Sequence, residues 1–453
     1  MRRITSGVIL WVTDMGARET ALNVLIACRQ QNAWSNSILK EYLVRDRLDR
    51  RDAALAARLC YGVQQNRGKL DFYLAQLLTG KVKDLHPVIH DILHLGLYQI
   101  YEMDKIPTSA AVNESVTLAK KYCKKQKFAP GLTNAVLRNA VRSKGTLKEP
   151  TKLEDKYSHP AELIRLLSAD VGKARLEAML RANNTVPPVV AQVNTLRTTA
   201  EELIRDLADE GVSAQAHPWM QDCLVLSATG NLEQLKAFQD GLFYIQDPAS
   251  KLAVLCAQIP EETNLQILDC CAAPGGKSYA AAIASKGAAQ VQSCDIHPHK
   301  IGLIEAGAKR LGLTNISAAC HDATVEKPAW HDKMDVVLAD VPCSGYGIIR
   351  KKPDIRYKDP KTMEDLPQLQ LQILRTQASY VKPGGVLMYS TCTLLKRENS
   401  QVVNAFLEDN SDFYLEDLVL PEGIQQDSRG MLTLIPGQHE TDGFFICRMR
   451  RKA

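Results

Sequence analysis

The sequence has no run of about 18 apolar residues, so it offers no membrane span. Its twelve cysteines include no C-x-x-C pair, which excludes a zinc ribbon and leaves no recognisable disulfide framework. Reduced thiols in a cytoplasmic protein are the economical reading. No large excess of one charge exists either: the net charge is only +5. The basic residues are instead concentrated in KKYCKKQK (120–127), RKKPDIRYK (350–358) and RMRRK (448–452), each dense enough for a polyanion, although solvated basic faces are common. Two phosphate-binding patterns are missing as well. In ILDCCAAPGGKS (267–278) a P-loop would need glycine where Cys271 stands, and Gly275 and Gly276 are adjacent, so G-x-G-x-x-G fails. What remains is a strand, a tight glycine turn and a helix start.

The 453 residues suggest about two to four domains, and 45% hydrophobic with 24% charged residues is ordinary globular composition. MRRITSGVILWVTD opens with two arginines, but GVILWV is shorter than a signal-peptide core and no small-residue cleavage site follows. Residues 1–16 are expected to be a non-native or flexible extension, because Met15 directly precedes a helical pattern. From 17 to 145 apolar positions recur at spacings of three and four, in ALNVLIACRQ, AALAARLCYGVQQ, VIHDILHLGLYQIYEM and TNAVLRNAVR, which predicts an all-α domain. His86, His90 and His94 line one helix face, yet no carboxylate completes an H-E-x-x-H pattern; packing or surface histidines are expected, and no metal. Residues 146–187 read as a helical connector. Residues 188–240 run strand, helix, strand, strand, a small α+β unit without aromatic stacking residues in its strands.

From 241 to 453 strand-like and helix-like segments alternate. LQILDC, VQSCD, ISAACHD, MDVVLADVP and GVLMYSTC are separated by SYAAAIASKG, HKIGLIEAGAKRLG and QLQLQILRTQASYV, which predicts a doubly wound parallel sheet; FFICRMR adds a late antiparallel strand. Ligands of such sheets sit beyond the strand C-termini, where Cys271 to Lys277, Asp295, Asp322, Asp340, Cys343 and Cys392 fall. Asp295 lies about 20 residues after the glycine turn, the separation at which an acid reaches ribose hydroxyls; capping the following helix is its other reading. Asp322 is placed to meet a base edge. Three ligand loops without a phosphate cradle favour S-adenosylmethionine over a nucleotide. DVPCSG and STC bring an acid and two thiols to the mouth of the sheet. Carbon 5 of a pyrimidine is a poor nucleophile until a thiolate adds at carbon 6, and the adduct must afterwards lose its carbon 5 proton and expel the thiolate. Two thiols and a carboxyl group suit that task, but spacing does not say which thiol attacks.

ILDCCAAPGGKS, LADVPCSGYGIIRKKPD and YSTCTLLKREN, with QDPAS upstream, resemble the S-adenosylmethionine-dependent RNA cytosine-5 methyltransferases of the Sun/Nop2 family. TALNVL, RLCYGVQQNRGKLDFYL and LGLYQIYEMDKIPTSAAVNESVTLAKK resemble a NusB-like RNA-binding domain. Together they are similar to bacterial members of the family that act on 16S rRNA, over nearly the whole chain after Met15. The resemblance implies an all-α NusB-like domain, an RRM-like α+β unit and a Rossmann-like methyltransferase domain. It makes Cys392 the nucleophile and Cys343 the thiol that assists product release. It assigns Cys271, Ala272, Ala273, Pro274, Gly275, Gly276, Lys277, Asp295, Asp322 and Asp340 to the methyl donor, with Asp340 also contacting the cytosine and Lys277 orienting the loop or the base. Arg350, Lys351, Lys352, Lys120, Lys121, Lys124 and Lys125 are expected to bind RNA, the partner being 16S rRNA, possibly inside an assembling small subunit, and the protein a monomer. Another rRNA or tRNA target, or a non-catalytic RNA-binding regulator, are the alternatives. One departure stands out: the family commonly has Pro-Glu-Glu-Asn after the second cysteine motif, where this chain has Lys396, Arg397, Glu398 and Asn399.

Overall fold

The computed structural model describes residues 16–31, 35–261 and 263–453; apart from Gly16, the expected extension lies outside them. The chain divides into two compact units, residues 1–164 with 352–357, and residues 165–351 with 358–453.

The first unit is helical, as its 3.6-residue periodicity requires: α1 (Ala17–Gln31), α2 (Ser35–Arg45), α3 (Arg50–Leu77), α4 (Pro87–Glu102), α5 (Thr108–Tyr122), α6 (Ala129–Arg142) and the single turn α7 (Leu153–Lys156). Leu22, Leu59, Leu74, Ile92, Leu93 and Leu137 meet in its core. Helix α4 starts at Pro87, whose fixed φ and missing N–H suit a first helical position. Close packing of α3 on α4 depends on Gly62, where a Cβ would lie 2.0 Å from a ring carbon of Tyr98. Of the three histidines, His86 caps α4 and is exposed, whereas His90 and His94 share a carboxylate that the sequence pattern did not supply, Asp71 of α3.

Residues 352–357 complete this unit. Asp354 accepts from the Ser35 N–H and hydroxyl at the start of α2 (3.1 and 2.6 Å). Arg356, only 2% exposed, donates to the carbonyls of Gln65, Tyr157 and Ser158 at 3.0, 3.3 and 3.2 Å. Within RKKPDIRYK, offered by its charge as a polyanion contact, the four residues Pro353 to Arg356 are buried, so Arg356 serves the interior of the fold.

The division between units falls within α8 (Ala161–Val171), and α9 (Lys173–Ala182) follows it. The second unit then forms a four-stranded antiparallel sheet from β1 (Val189–Val193), β2 (Ser213–His217), β3 (Met220–Ser227) and β4 (Phe243–Ile245), in the order β2-β3-β1-β4, with α10 (Ala200–Asp209) and the short α11 (Lys236–Gln239). Thr199 and Glu202 close a reciprocal capping box on α10, an arrangement that contributes about 1 kcal/mol. Strand β4 was not legible in the sequence, because its three residues run directly into the QDPAS segment.

Helix α12 (Pro248–Leu255) leads into the larger sheet. In chain order this comprises β5 (Gln266–Asp269), α13 (Gly276–Ala284), β6 (Gln290–Asp295), α14 (Pro298–Leu311), β7 (Ile316–Cys320), β8 (Met334–Asp340), α15 (Leu366–Ala378), β9 (Val381–Thr391), α16 (Ser400–Asp409), β10 (Phe413–Leu415), β11 (Met431–Leu434) and β12 (Phe444–Arg451). The strand order is β10-β12-β9-β8-β5-β6-β7, with β11 paired to β12. Strands β5 to β9 are mutually parallel and β12 runs antiparallel to β9. The alternating pattern predicted this; the short β10 and β11 were missed. The order reverses between β5 and β8, so their C-terminal ends open the crevice where an α/β sheet takes its ligand. The arginines of the RMRRK run are paired within the fold: Arg448 and Arg450 with Glu416, and Arg451 with Asp412.

Candidate active site

Strand β5 ends at Asp269, fully buried, whose Oδ2 accepts from the Ser278 hydroxyl at 2.7 Å. Burial pushes its carboxyl up to about 6, against the pull of that hydrogen bond and of Lys277. The loop from Cys270 to Gly275 turns sharply into α13. Gly275 has φ +113°, and a Cβ there would strike the Tyr279 hydroxyl, so the turn demands glycine. The loop is anchored to the neighbouring strand end: the Ala272 N–H donates to the Cys294 carbonyl (2.7 Å) and the Ala273 N–H to Asp295 Oδ2 (3.3 Å). The other Asp295 oxygen accepts from the His297 N–H at 3.0 Å, entering α14. This acid thus tethers the entry to a helix and borders the glycine loop. Ile296 beside it is 53% exposed. Asp322 follows β7 and accepts from the Thr324 N–H and hydroxyl (2.9 and 2.7 Å), which lowers its carboxyl.

Strand β8 delivers Asp340. Lys277, the second residue of α13, is nearly buried and reaches back over the crevice: its Nζ donates to Asp340 Oδ2 (2.6 Å) and to the Ser250 hydroxyl (2.7 Å). Asp340 Oδ1 accepts from the Ser390 hydroxyl at 2.8 Å. Ser390 is two residues before Cys392, so one polar chain runs from α12 through α13 and β8 to the end of β9. The two motif cysteines meet there, Sγ to Sγ 3.2 Å, both partly exposed. The hydrogen bond to Cys392, followed by burial, holds the Cys343 thiol well above its ordinary value. Either sulfur can donate to the other across this contact.

The residues that hold these loops were not legible in the sequence. Glu398, fully buried, accepts through Oε2 from the Ser344 N–H (2.9 Å) and from Gln370 (3.0 Å), which also donates to the Pro342 carbonyl (3.0 Å). Asn399 accepts from the Thr391 hydroxyl (2.6 Å) and donates to the Thr393 carbonyl (3.0 Å). So the two residues that survive in the divergent Lys-Arg-Glu-Asn segment secure the backbone on both sides of the thiol pair, while Lys396 contributes an N–H to Asp170. Gly347 interlocks the loops further: its N–H donates to the Cys392 carbonyl (2.9 Å) and its carbonyl accepts from the Gly443 N–H (2.8 Å).

The sequence-predicted RNA contacts divide. Lys120, Lys124, Lys125 and Lys352 are exposed, and exposed Lys121 pairs with Glu19. Arg350 is bound to Asp442 (3.0 Å), and Lys351, one-third exposed, bridges Asp247 and Asp442 (3.1 and 2.6 Å). Asp247 in turn caps α12 through the Ala249 N–H and bonds Thr441. Charges spent inside the fold contribute little to a polyanion surface.

Comparison with known proteins decides the family. Residues 255–450 match the family model described as 16S rRNA methyltransferase RsmB/F, residues 15–142 the NusB family, and residues 159–233 the ferredoxin-like domain of RsmF/B-like methyltransferases. The "Probable ribosomal RNA small subunit methyltransferase B" of Bacillus subtilis is 36% identical over 444 residues, covering 96% of this chain and 98% of its own. The chain belongs to the RsmB/F family of 16S rRNA methyltransferases. The ribosomal RNA small subunit methyltransferase B of Vibrio vulnificus is 31% identical, covering 97% of this chain and all of its own. Among solved structures, PH0851 superposes with TM-score 0.79 over 97% of this chain and 100% of its own at 22% identity. NSun6 from Pyrococcus horikoshii, solved with SFG, gives 0.55 over 65% of this chain and 98% of its own at 21% identity. At those identities the two structures speak for the fold, and the expected three-part RsmB/F architecture is the one observed.

Proposed function

We propose that this methyltransferase transfers a methyl group from S-adenosylmethionine to carbon 5 of a cytosine in 16S rRNA, through a covalent bond between Cys392 and carbon 6. The single observation that carries the reading is the thiol pair 3.2 Å apart beside Asp340, at the ends of β8 and β9. Residues 17–145 together with 352–357 would serve as RNA-binding helical domain, residues 188–245, which extend past the expected 240 to include β4, as RRM-like unit, and the rest of 246–453 as catalytic domain.

The crevice suits the methyl donor: Asp295, Asp322 and Asp340 supply acceptors for a cationic nucleoside, no phosphate cradle competes, and exposed Ile296 offers an apolar face to a flat base. Residues Cys271 to Lys277 with the three acids would hold it, and when bound it supplies an electrophilic methyl group. Cys392 adds to carbon 6 as thiolate, pushing electron density towards carbon 5 and ring nitrogen 3. Asp340, ion-paired with Lys277 at 2.6 Å, would accept a hydrogen bond from the exocyclic amino group on that side of the ring. Once carbon 5 is methylated, its proton passes to solvent water, the electrons of that C–H bond re-form the carbon 5–carbon 6 double bond, and the carbon–sulfur bond breaks with its electron pair returning to Cys392. A Cys343 S–H, 3.2 Å from the Cys392 sulfur, would then hydrogen-bond it as it departs.

The test is to incubate Cys343→Ala and Cys392→Ala proteins with S-adenosylmethionine and 16S rRNA and resolve the products by denaturing electrophoresis. A protein–RNA adduct with Cys343→Ala alone supports the assignment. An adduct with Cys392→Ala instead reverses the two roles. Transfer by the wild type to tRNA or to another rRNA, and not to 16S rRNA, overturns the substrate.

A further inference from the structure

Outside the crevice, the first unit contains a second cluster of chemistry-bearing side chains. His90 and His94 are four residues apart on α4, hence one turn apart on one face, with ring centroids 4.0 Å apart. Both Nε2 atoms point at the same oxygen, Asp71 Oδ1 of α3, at 2.6 and 2.8 Å. The three donor atoms lie within 4.8 Å of one another. His94 is 1% exposed and held fixed by the core, whereas the Asp71 side chain is 39% exposed and opens to water. Arg67 and Asp155 are the charged neighbours whose fields reach the cluster, and their signs oppose.

We propose that Asp71, His90 and His94 bind one first-row divalent cation of the kind imidazole favours, such as Zn²⁺, Co²⁺ or Ni²⁺, and that the ion clamps α3 to α4. Two imidazoles and one carboxylate are a ligand set for such ions rather than for Mg²⁺ or Ca²⁺, which prefer oxygen alone. Donors about 2.0–2.2 Å from a common centre stand roughly 3.0–3.4 Å apart. The carboxylate therefore has to withdraw by about half an ångström, which its exposed side allows. The remaining coordination positions face solvent and take water. The helix pattern hid this site because the carboxylate comes from a different helix, 19 residues before His90.

The test is titration of the full-length protein with Co²⁺, read by visible absorption, and with Zn²⁺, read by melting temperature. One saturable equivalent of Co²⁺ without a thiolate charge-transfer band, together with a rise in melting temperature on adding Zn²⁺, is expected. Asp71→Asn and His90→Gln should each weaken Co²⁺ binding by at least about 100-fold, the upper end of what outer-shell changes cost. Because His94 is buried and its replacement risks misfolding, the partly exposed His90 carries the decision. Absence of saturable binding, a thiolate band, or binding unchanged in Asp71→Asn and His90→Gln would overturn the proposal; the last two outcomes place the ion elsewhere.

Discussion

Asp269 is a test of how far the second unit accepts a charge beneath its ligand loop. The side chain is fully buried, Oδ2 takes a hydrogen bond from Ser278, and Oδ1 has no partner among the described residues. Burial raises its carboxyl from the ordinary 3.8 to about 6. At 1.36 kcal/mol per unit, the ionised form costs the folded state about 3 kcal/mol at neutral pH. The sign follows from proton binding: between pH 4 and 6 the folded state holds a proton that the unfolded state has released, so stability falls as pH rises through that window. Asp269→Asn removes the titration. Relative to the wild type, the variant should gain about 2 kcal/mol between pH 4.5 and 8, because roughly a third of the cost is already felt at pH 4.5. Urea unfolding of both proteins across this range measures the difference, in which all other titrating groups cancel. Parallel profiles would refute the reasoning and mean that water or rearrangement solvates the acid.

Glu398→Ala removes the acceptor shared by Ser344 and Gln370, so the Cys343 loop should shift; methyl transfer is expected to fall about 100-fold, the cost of a roughly 1 Å misplacement, with the circular dichroism spectrum retained. Gly347→Ala places a Cβ 2.0 Å from the Gly443 carbonyl oxygen and 2.8 Å from that of Cys392; it should depress kcat by a similar order while S-adenosylmethionine binding, measured by calorimetry, changes little. Arg356→Met deletes the hydrogen bonds to the Gln65, Tyr157 and Ser158 carbonyls, the last two buried, and should lower stability by about 1.5–3 kcal/mol in thermal or urea unfolding.

The periodicities carried most of the fold, since helices that bury one face and strands that alternate with them leave their spacing in the chain. Very short strands left no such trace: three residues of β4 or β10 are too few to show a period. In the candidate site the thiols, acids and glycine turn were legible because each sits at a strand end, where motif and topology coincide. Their supports were not. Glu398 reaches Ser344 across 54 residues, and Arg350 and Lys351 find their acids 92 and 104 residues away. A basic run in sequence reads the same whether its partners are phosphates or distant carboxylates; only three-dimensional proximity separates the two.

The helical unit ends its own account late. Its last six residues, 352–357, are synthesised 187 residues after Ile164 closes the main segment, a delay of about 10–40 s at about 5–20 residues per second. Until then the carbonyls of Gln65, Tyr157 and Ser158 wait for Arg356, and the start of α2 waits for Asp354. The nascent chain must therefore carry a nearly finished helical unit out of the ribosome and finish it only when half of the strands of the catalytic sheet, β5 to β8, have been made. In this protein the order of translation and the order of completion are opposed.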